Sequence, residues 1–183
     1  MHVSEIDLDT GRSLSTPVAI RKSPSGVAEG SHIVKYKGFY YLFTAEGGTE
    51  SGHSECVFRS RTGPLGPWEP NPSNPLLSAS LQDDVQNTGH ADLVEDVDGD
   101  WWAVCLAVRP YRDTSKVFLP SPFGRESFLM KVNWLDGWPQ FNGGQKLQLS
   151  FESHQQPCFP EPNWRDDFDG DVTTLGWYTK GSR

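Results

Sequence analysis

Short apolar runs separated by glycine-bearing turns dominate the chain, and the clearest pair meets at Lys37-Gly38. Before that dipeptide, Ile33-Val34-Lys35-Tyr36 alternates, as a strand with one covered face does. After it, Phe39-Tyr40-Tyr41-Leu42-Phe43-Thr44-Ala45 is a continuous run suited to a buried strand. A second pair follows the same plan. Leu93-Val94-Glu95-Asp96 passes through Val97-Asp98-Gly99-Asp100 into Trp101-Trp102-Ala103-Val104-Cys105-Leu106. A looser third copy starts at Gly124-Arg125-Glu126 and continues through Phe128-Leu129-Met130-Lys131-Val132 to Asp136-Gly137 and Trp138-Pro139. Repeated units of short antiparallel strands predict an all-β fold of β-propeller type, although the period exceeds that of the commonest propeller repeats. No segment sustains an apolar stripe at helical spacing, so little helix is expected.

Proline-rich stretches punctuate the units, from Gly63-Pro64 to Pro75 and from Pro120 to Pro122. The organisation read from these patterns is a partial propeller over residues 1–149, a polar linker over 150–163, and a new unit beginning in 164–183. Composition agrees with a globular β protein: 36% hydrophobic and 12% aromatic residues support a core, and 18 Gly and 14 Pro support many turns. The formal charge of −8 disfavours nucleic acid and anionic membranes, because such a surface repels phosphate. No apolar run reaches the roughly 20 residues of a membrane-spanning helix, and the first residues lack the layout of a signal peptide. Cys56, Cys105 and Cys158 fit neither a zinc pattern nor a disulfide framework and read as core thiols.

The repeats also group the candidate chemistry. Glu29 precedes Gly38 by the same nine residues by which His90 precedes Gly99, and Arg125 opens the third unit. In a propeller the residues just ahead of the inner strands converge on the axis, so Glu29, His90 and Arg125 are expected to meet there, one from each sheet. An acid, an imidazole and a guanidinium suit sugar chemistry. Cleaving a glycosidic bond needs a proton donor for the leaving oxygen and a second carboxylate to activate water or attack. A glutamate held among aromatic side chains keeps its proton more firmly, and arginine offers fixed donors to hydroxyls. Other chemistries lack their signatures. There is no Gly-x-Ser-x-Gly elbow, phosphate loop or His-Glu-x-x-His, and the Asp96–Asp100 and Asp166–Asp171 clusters miss the EF-hand pattern and read as acidic turns.

Three ordered segments resemble the family 43 glycoside hydrolases. Ala28-Glu29-Gly30-Ser31-His32 with Tyr40 through Thr49 resembles the segment bearing that family's general acid, with Ser31 where proline is common. Thr88-Gly89-His90-Ala91-Asp92-Leu93-Val94 with Trp101-Trp102-Ala103-Val104 resembles the blade whose histidine sits at the axis. Gly124 through Leu129, with Trp134 through Pro139, resembles the segment whose arginine reaches the sugar. The resemblance implies a five-bladed propeller, represented here by its later part, followed by the start of a β-sandwich at Trp164 to Trp177. It implies Glu29 as general acid, Arg125 as a substrate contact, and His90 as an axial residue that in some members holds a calcium ion through water, with no cofactor required. It further implies an inverting hydrolase that removes terminal xylose or arabinose from plant-wall hemicellulose outside the cell, so that the partner is a xylan- or arabinoxylan-derived oligosaccharide.

The family's catalytic base and acid-tuning aspartates lie upstream of the segments matched here. Asp7 and Asp9 read as turn residues, and Glu46, Asp92 and Glu126 belong to segments with other roles. The polypeptide is therefore expected to hydrolyse glycosides poorly by itself and to self-associate through open sheet edges. Two alternatives stand beside the hydrolase: a non-catalytic arabinoxylan-binding propeller remnant, and an inactive incomplete gene product.

Overall fold

The computed structural model describes residues 1–112, 118–151, 167 and 169. The linker and sandwich expected beyond residue 150 lie outside these residues almost entirely, as does Cys158. The chain divides into a unit spanning Met1–Ser150 and a second spanning Phe151–Arg183.

The first unit is built from strands: β1 (His2–Val3), β2 (Val18–Ala19), β3 (Ala28–Tyr36), β4 (Phe39–Glu46), β5 (Ser54–Ser60), β6 (Glu69–Pro70), β7 (Leu77–Ser78), β8 (Gln86–Glu95), β9 (Trp101–Val108), β10 (Tyr111–Arg112), β11 (Phe118–Leu119), β12 (Arg125–Leu135) and β13 (Trp138–Phe141). One short 3₁₀ turn covers Asn142–Gly144, so the expectation of little helix holds among the described residues. Two main sheets result, ordered β3-β4-β5-β6 with β7 also on β5, and β13-β12-β9-β8.

The hairpin signals of the sequence are where the chain reverses. Lys37 and Gly38 have φ of 44° and 83°, and Asp136 and Gly137 have 51° and 75°. Such paired left-handed residues match the twist of the strands they join. Pro139 is tolerated because β13 is an edge strand, where a missing N–H leaves no ladder gap.

The structure corrects the repeat reading in one respect. The second and third units are not separate sheets, because β12 pairs with β9 from Arg125↔Val108 to Val132↔Trp101. A blade takes four strands, so a hairpin-sized repeat counts half-blades. His90 and Arg125 therefore share one sheet, and only Glu29 comes from the other. Strands β3, β8 and β12 also begin earlier than the apolar runs suggested, so Glu29 and His90 lie inside strands rather than ahead of them.

The two sheets face each other across a single core. Tyr41, Phe43 and Val57 of the first pack with Ala103, Cys105, Met130, Val132 and Phe141 of the second. Tyr36 stacks on Trp134 at 4.1 Å between ring centres, and Trp101 meets Trp134 edge-on at 5.4 Å. Aromatic contacts of this kind add to burial only in these offset or edge-on arrangements. At the outer side, the Tyr41 hydroxyl and Arg59 Nη1 both donate to the Gly137 carbonyl, at 2.7 and 3.0 Å, while the Arg59 guanidinium lies 4.2 Å over Trp138. At the inner side His32 Nδ1 approaches Asp92 Oδ1 at 3.3 Å, so β3 and β8 run side by side. That adjacency positions the candidate site.

Candidate active site

Glu29 is the second residue of β3 and pairs with Ala45 of β4; the ladder then slips before resuming at His32↔Phe43. The slip is a bulge, and Gly30 adopts φ 54° within it. Strand β8 slips too, on both sides of Gly89, with Asn87 at φ 53° and His90 at φ 57°. Bulges of this kind re-aim side chains and leave backbone groups unpaired. The two bulges meet. A Cβ placed on Gly30 would lie 2.1 Å from His90 Nε2, so the imidazole occupies the space that a side chain at 30 would need. Glycine at 30 is thus required twice, by the backbone angle and by the neighbour.

A residue that the sequence reading passed over lies beneath this contact. His53, 2% exposed, precedes β5 and donates from Nδ1 to the Asn87 carbonyl at 2.8 Å. Its ring lies against Gly89, where a Cβ would fall 2.8 Å from Nε2. Burial holds the His53 pKa below its ordinary value. The Asn87 bond opposes that, nearby His90 and Arg125 reinforce it, and Glu29 opposes it. The electrostatic reach of Glu29, His90 and Arg125 therefore converges on one buried imidazole, although two sheets and nearly a hundred residues of chain separate them.

Arg125 opens β12 opposite Val108, which also faces Gln86 on β8, so the guanidinium rises from the end of the sheet at which β8 begins. Its neighbour Glu126 is claimed by Arg109, at 2.6 and 3.1 Å, so pairing of Arg125 with Glu126 does not occur. Glu29 and Arg125 are exposed and His90 is half-buried.

The other acids are occupied. Glu46 receives Arg21 at 3.0 and 3.2 Å, Thr44 at 2.9 Å and Ser23 at 2.5 Å. Asp92 faces His32. Asp7 caps its own turn, accepting the Asp9 and Thr10 N–H groups, in keeping with the turn role assigned to it. The Asp96 carboxylate likewise closes its turn by accepting from Asp98, Asp100 and the Trp102 indole.

Glu55 on β5 is wholly buried, and burial pushes its pKa up to about 8. A base must reach water, so Glu55 does not qualify. Among the described residues no three His, Cys, Asp or Glu side chains gather as a metal cage. A groove of about 530 Å³, lined by Asn71, Asp136, Trp138 and Gln140 among others, lies away from all of these residues.

His53 and Glu55 were legible in principle. His53-Ser54-Glu55 sets polar residues at alternate positions ahead of Val57-Phe58, but a buried acid disguises the strand period, and no strand was expected there.

Comparison with known proteins places these residues in context. The sequence model of Glycosyl hydrolases family 43 matches residues 1–139. Non-reducing end alpha-L-arabinofuranosidase BoGH43B of Bacteroides ovatus is 40% identical across 94% of this chain and 32% of its own length. Xylan 1,3-beta-xylosidase of a Vibrio species is 34% identical across 91% of this chain and 33% of its own length. The crystal structure of xylan beta-1,4-xylosidase from Bacillus halodurans C-125 superposes with a TM-score of 0.77 at 32% identity, covering 91% of this chain and 32% of that one. The chain thus spans about a third of the length of each of these three proteins. No helix among the described residues is long and apolar enough to cross a membrane.

Proposed function

Because the chain belongs to glycosyl hydrolase family 43, we propose that Glu29, His90 and Arg125 form one face of a glycosidase site for terminal xylose or arabinose of hemicellulose. The observation that carries this reading is the meeting of two bulges, Gly30 beneath His90, over a buried His53 whose charge environment includes all three residues. Glu29 donates its proton to the leaving oxygen. Arg125 orients the sugar through hydroxyl hydrogen bonds, and its charge keeps an ionised carboxylate nearby favourable. His90 bounds the axial end of the pocket.

Inversion needs a second carboxylate roughly 6.5–9.5 Å from the first, with water between them. Glu46, Asp92, Asp7 and Asp96 are engaged and Glu55 is buried, so that group and the enclosure that would hold the Glu29 proton come from elsewhere in a protein of the relatives' length. The substrate is a xylan- or arabinoxylan-derived oligosaccharide, met outside the cell. A calcium ion, if one is bound, would be held by His90 through water, and no chemical step runs through it. The relatives are named for arabinofuranoside and for two xylan linkages, which leaves either sugar within the proposal. Self-association through open sheet edges belongs to the same reading, and light scattering on the purified chain tests it.

A second reading, sugar binding without cleavage, is favoured by the engagement of Glu46 and Asp92 and the burial of Glu55, which leaves none of these three free to activate water. One experiment separates the two. The purified chain and its Glu29→Gln variant are given xylosides and arabinofuranosides carrying either a good or a poor leaving group. General-acid catalysis predicts that residual hydrolysis of the poor leaving group falls about 10²–10⁴-fold in the variant while the activated one is nearly unchanged. Saturable binding with no turnover supports the binding module. Neither binding nor turnover supports an inactive product.

A further inference from the structure

We propose that Glu55 is the positioning residue for His90: from β5 of one sheet, its buried carboxyl holds the Ala91 peptide N–H at the bulge by which the other sheet turns His90 over Gly30. This rests on the glycosidase reading only in giving His90 a functional task; the placement itself does not depend on it.

Strand β8 leaves its ladder with β9 between Gly89 and Asp92, so the peptide groups of His90 and Ala91 have no strand partner there. Buried N–H groups in that position need an acceptor. Glu55 Oε2 supplies it for Ala91, accepting that N–H at 2.9 Å, while the adjacent His90 N–H bears on the charge of the same carboxyl. Ala91 and Glu55 both have no solvent exposure, so water cannot take over. The left-handed φ of 57° at His90 costs energy for a non-glycine residue and persists only if something fixes it. The carboxyl fixes it from outside the strand.

The second oxygen, Oε1, is buried without a partner among the described residues. Protonation removes the charge from this unpartnered oxygen, which makes its burial cheaper than that of a carboxylate. A glutamine is nearly isosteric with that form, so it should preserve the arrangement, whereas alanine leaves the buried Ala91 N–H unmet.

Nothing else on β5 has this geometry. The acid of neighbouring β4, Glu46, instead accepts from Thr44 and Arg21. His53, two residues earlier, bonds the carbonyl of Asn87, in the slip on the other side of Gly89. One short segment, His53 to Glu55, thus grips the His90 loop on both sides: an acceptor after it and a donor before it.

The test uses NMR on the 183-residue chain, so it reads geometry whether or not sugar is cleaved. In the wild type, the Ala91 and His90 amide protons should be exchange-protected and should titrate together with the Glu55 side-chain carbon. The His90 imidazole resonances should move when Glu29 is replaced by Gln, reporting their proximity. Glu55→Gln should retain that response to Glu29→Gln, and Glu55→Ala should abolish it while Trp and Tyr signals of the core remain native. If Glu55→Ala does not fold, the wild-type protection and joint titration together with the Glu55→Gln result decide the matter. Unprotected Ala91 and His90 amides, or His90 signals that respond to Glu29→Gln equally in wild type and Glu55→Ala, overturn the proposal. Intact positioning with no sugar recognition overturns the glycosidase reading alone.

Discussion

Replacing Gly30 by alanine probes the bulge contact on which the site depends. Two costs can be worked from the structure. The backbone at 30 holds φ 54°, and an L-residue with a Cβ pays about 1–2 kcal/mol there. The new methyl would also fall 2.1–2.5 Å from three atoms of the His90 ring, so the imidazole must leave its place. Forcing a packed group aside costs about 1–3 kcal/mol. Gly38→Ala is the control. It meets φ 83° but nothing within 4 Å, so it carries the backbone cost alone. Urea unfolding of both variants should therefore show Gly30→Ala less stable than Gly38→Ala by about 1–3 kcal/mol, with His90 resonances displaced only in the former. Equal destabilisation by the two, with His90 unmoved, would refute the inference that His90 lies against Gly30.

Further outcomes follow from other contacts. Arg21→Ala leaves Glu46, 6% exposed, without its guanidinium partner; since Ser23 and Thr44 still donate to it, the loss should sit near the low end of the range for a broken buried pair, about 3 kcal/mol by urea titration. Glu55 is held with its pKa up at about 8 against an ordinary 4.5, so the folded state binds the extra proton between those values. Its contribution to stability is then full below pH 4.5 and declines as pH rises toward 8, by at most about 1.4 kcal/mol per pH unit. Glu55→Gln should remove that decline. His53, whose pKa is lowered, acts in the opposite sense below its ordinary 6.5, and cancels when variant and wild type are subtracted. Burial pushes the Cys56 and Cys105 thiols up to about 11 and about 12, so per-site mass spectrometry should find both alkylated slowly at pH 8 in the native chain and rapidly in urea.

The sequence disclosed the hairpins because their chemistry is local. Lys37-Gly38 and Asp136-Gly137 can be read from neighbours alone, and so can the buried runs at Phe39–Ala45 and Trp101–Leu106. It disclosed Glu29, His90 and Arg125 through repeat spacing and family likeness. It did not disclose which hairpins share a sheet, because the β9–β12 pairing joins segments separated by a long connection, and ladder bonds leave no mark on residue type. Nor did it disclose His53 and Glu55. Their importance lies in contacts across sheets, to Asn87 and Ala91, and a buried polar residue breaks the very alternation by which strand β5 would have been found.

The central claim is that Glu29, His90 and Arg125 face one sugar. Titrating the isotope-labelled chain with methyl β-xyloside and methyl α-arabinofuranoside tests it directly. Saturable shifts at all three side chains for one of the two sugars, abolished by Arg125→Ala with the fold intact, are the predicted result. Shifts confined to the groove around Trp138, or none at any sugar concentration, would contradict it.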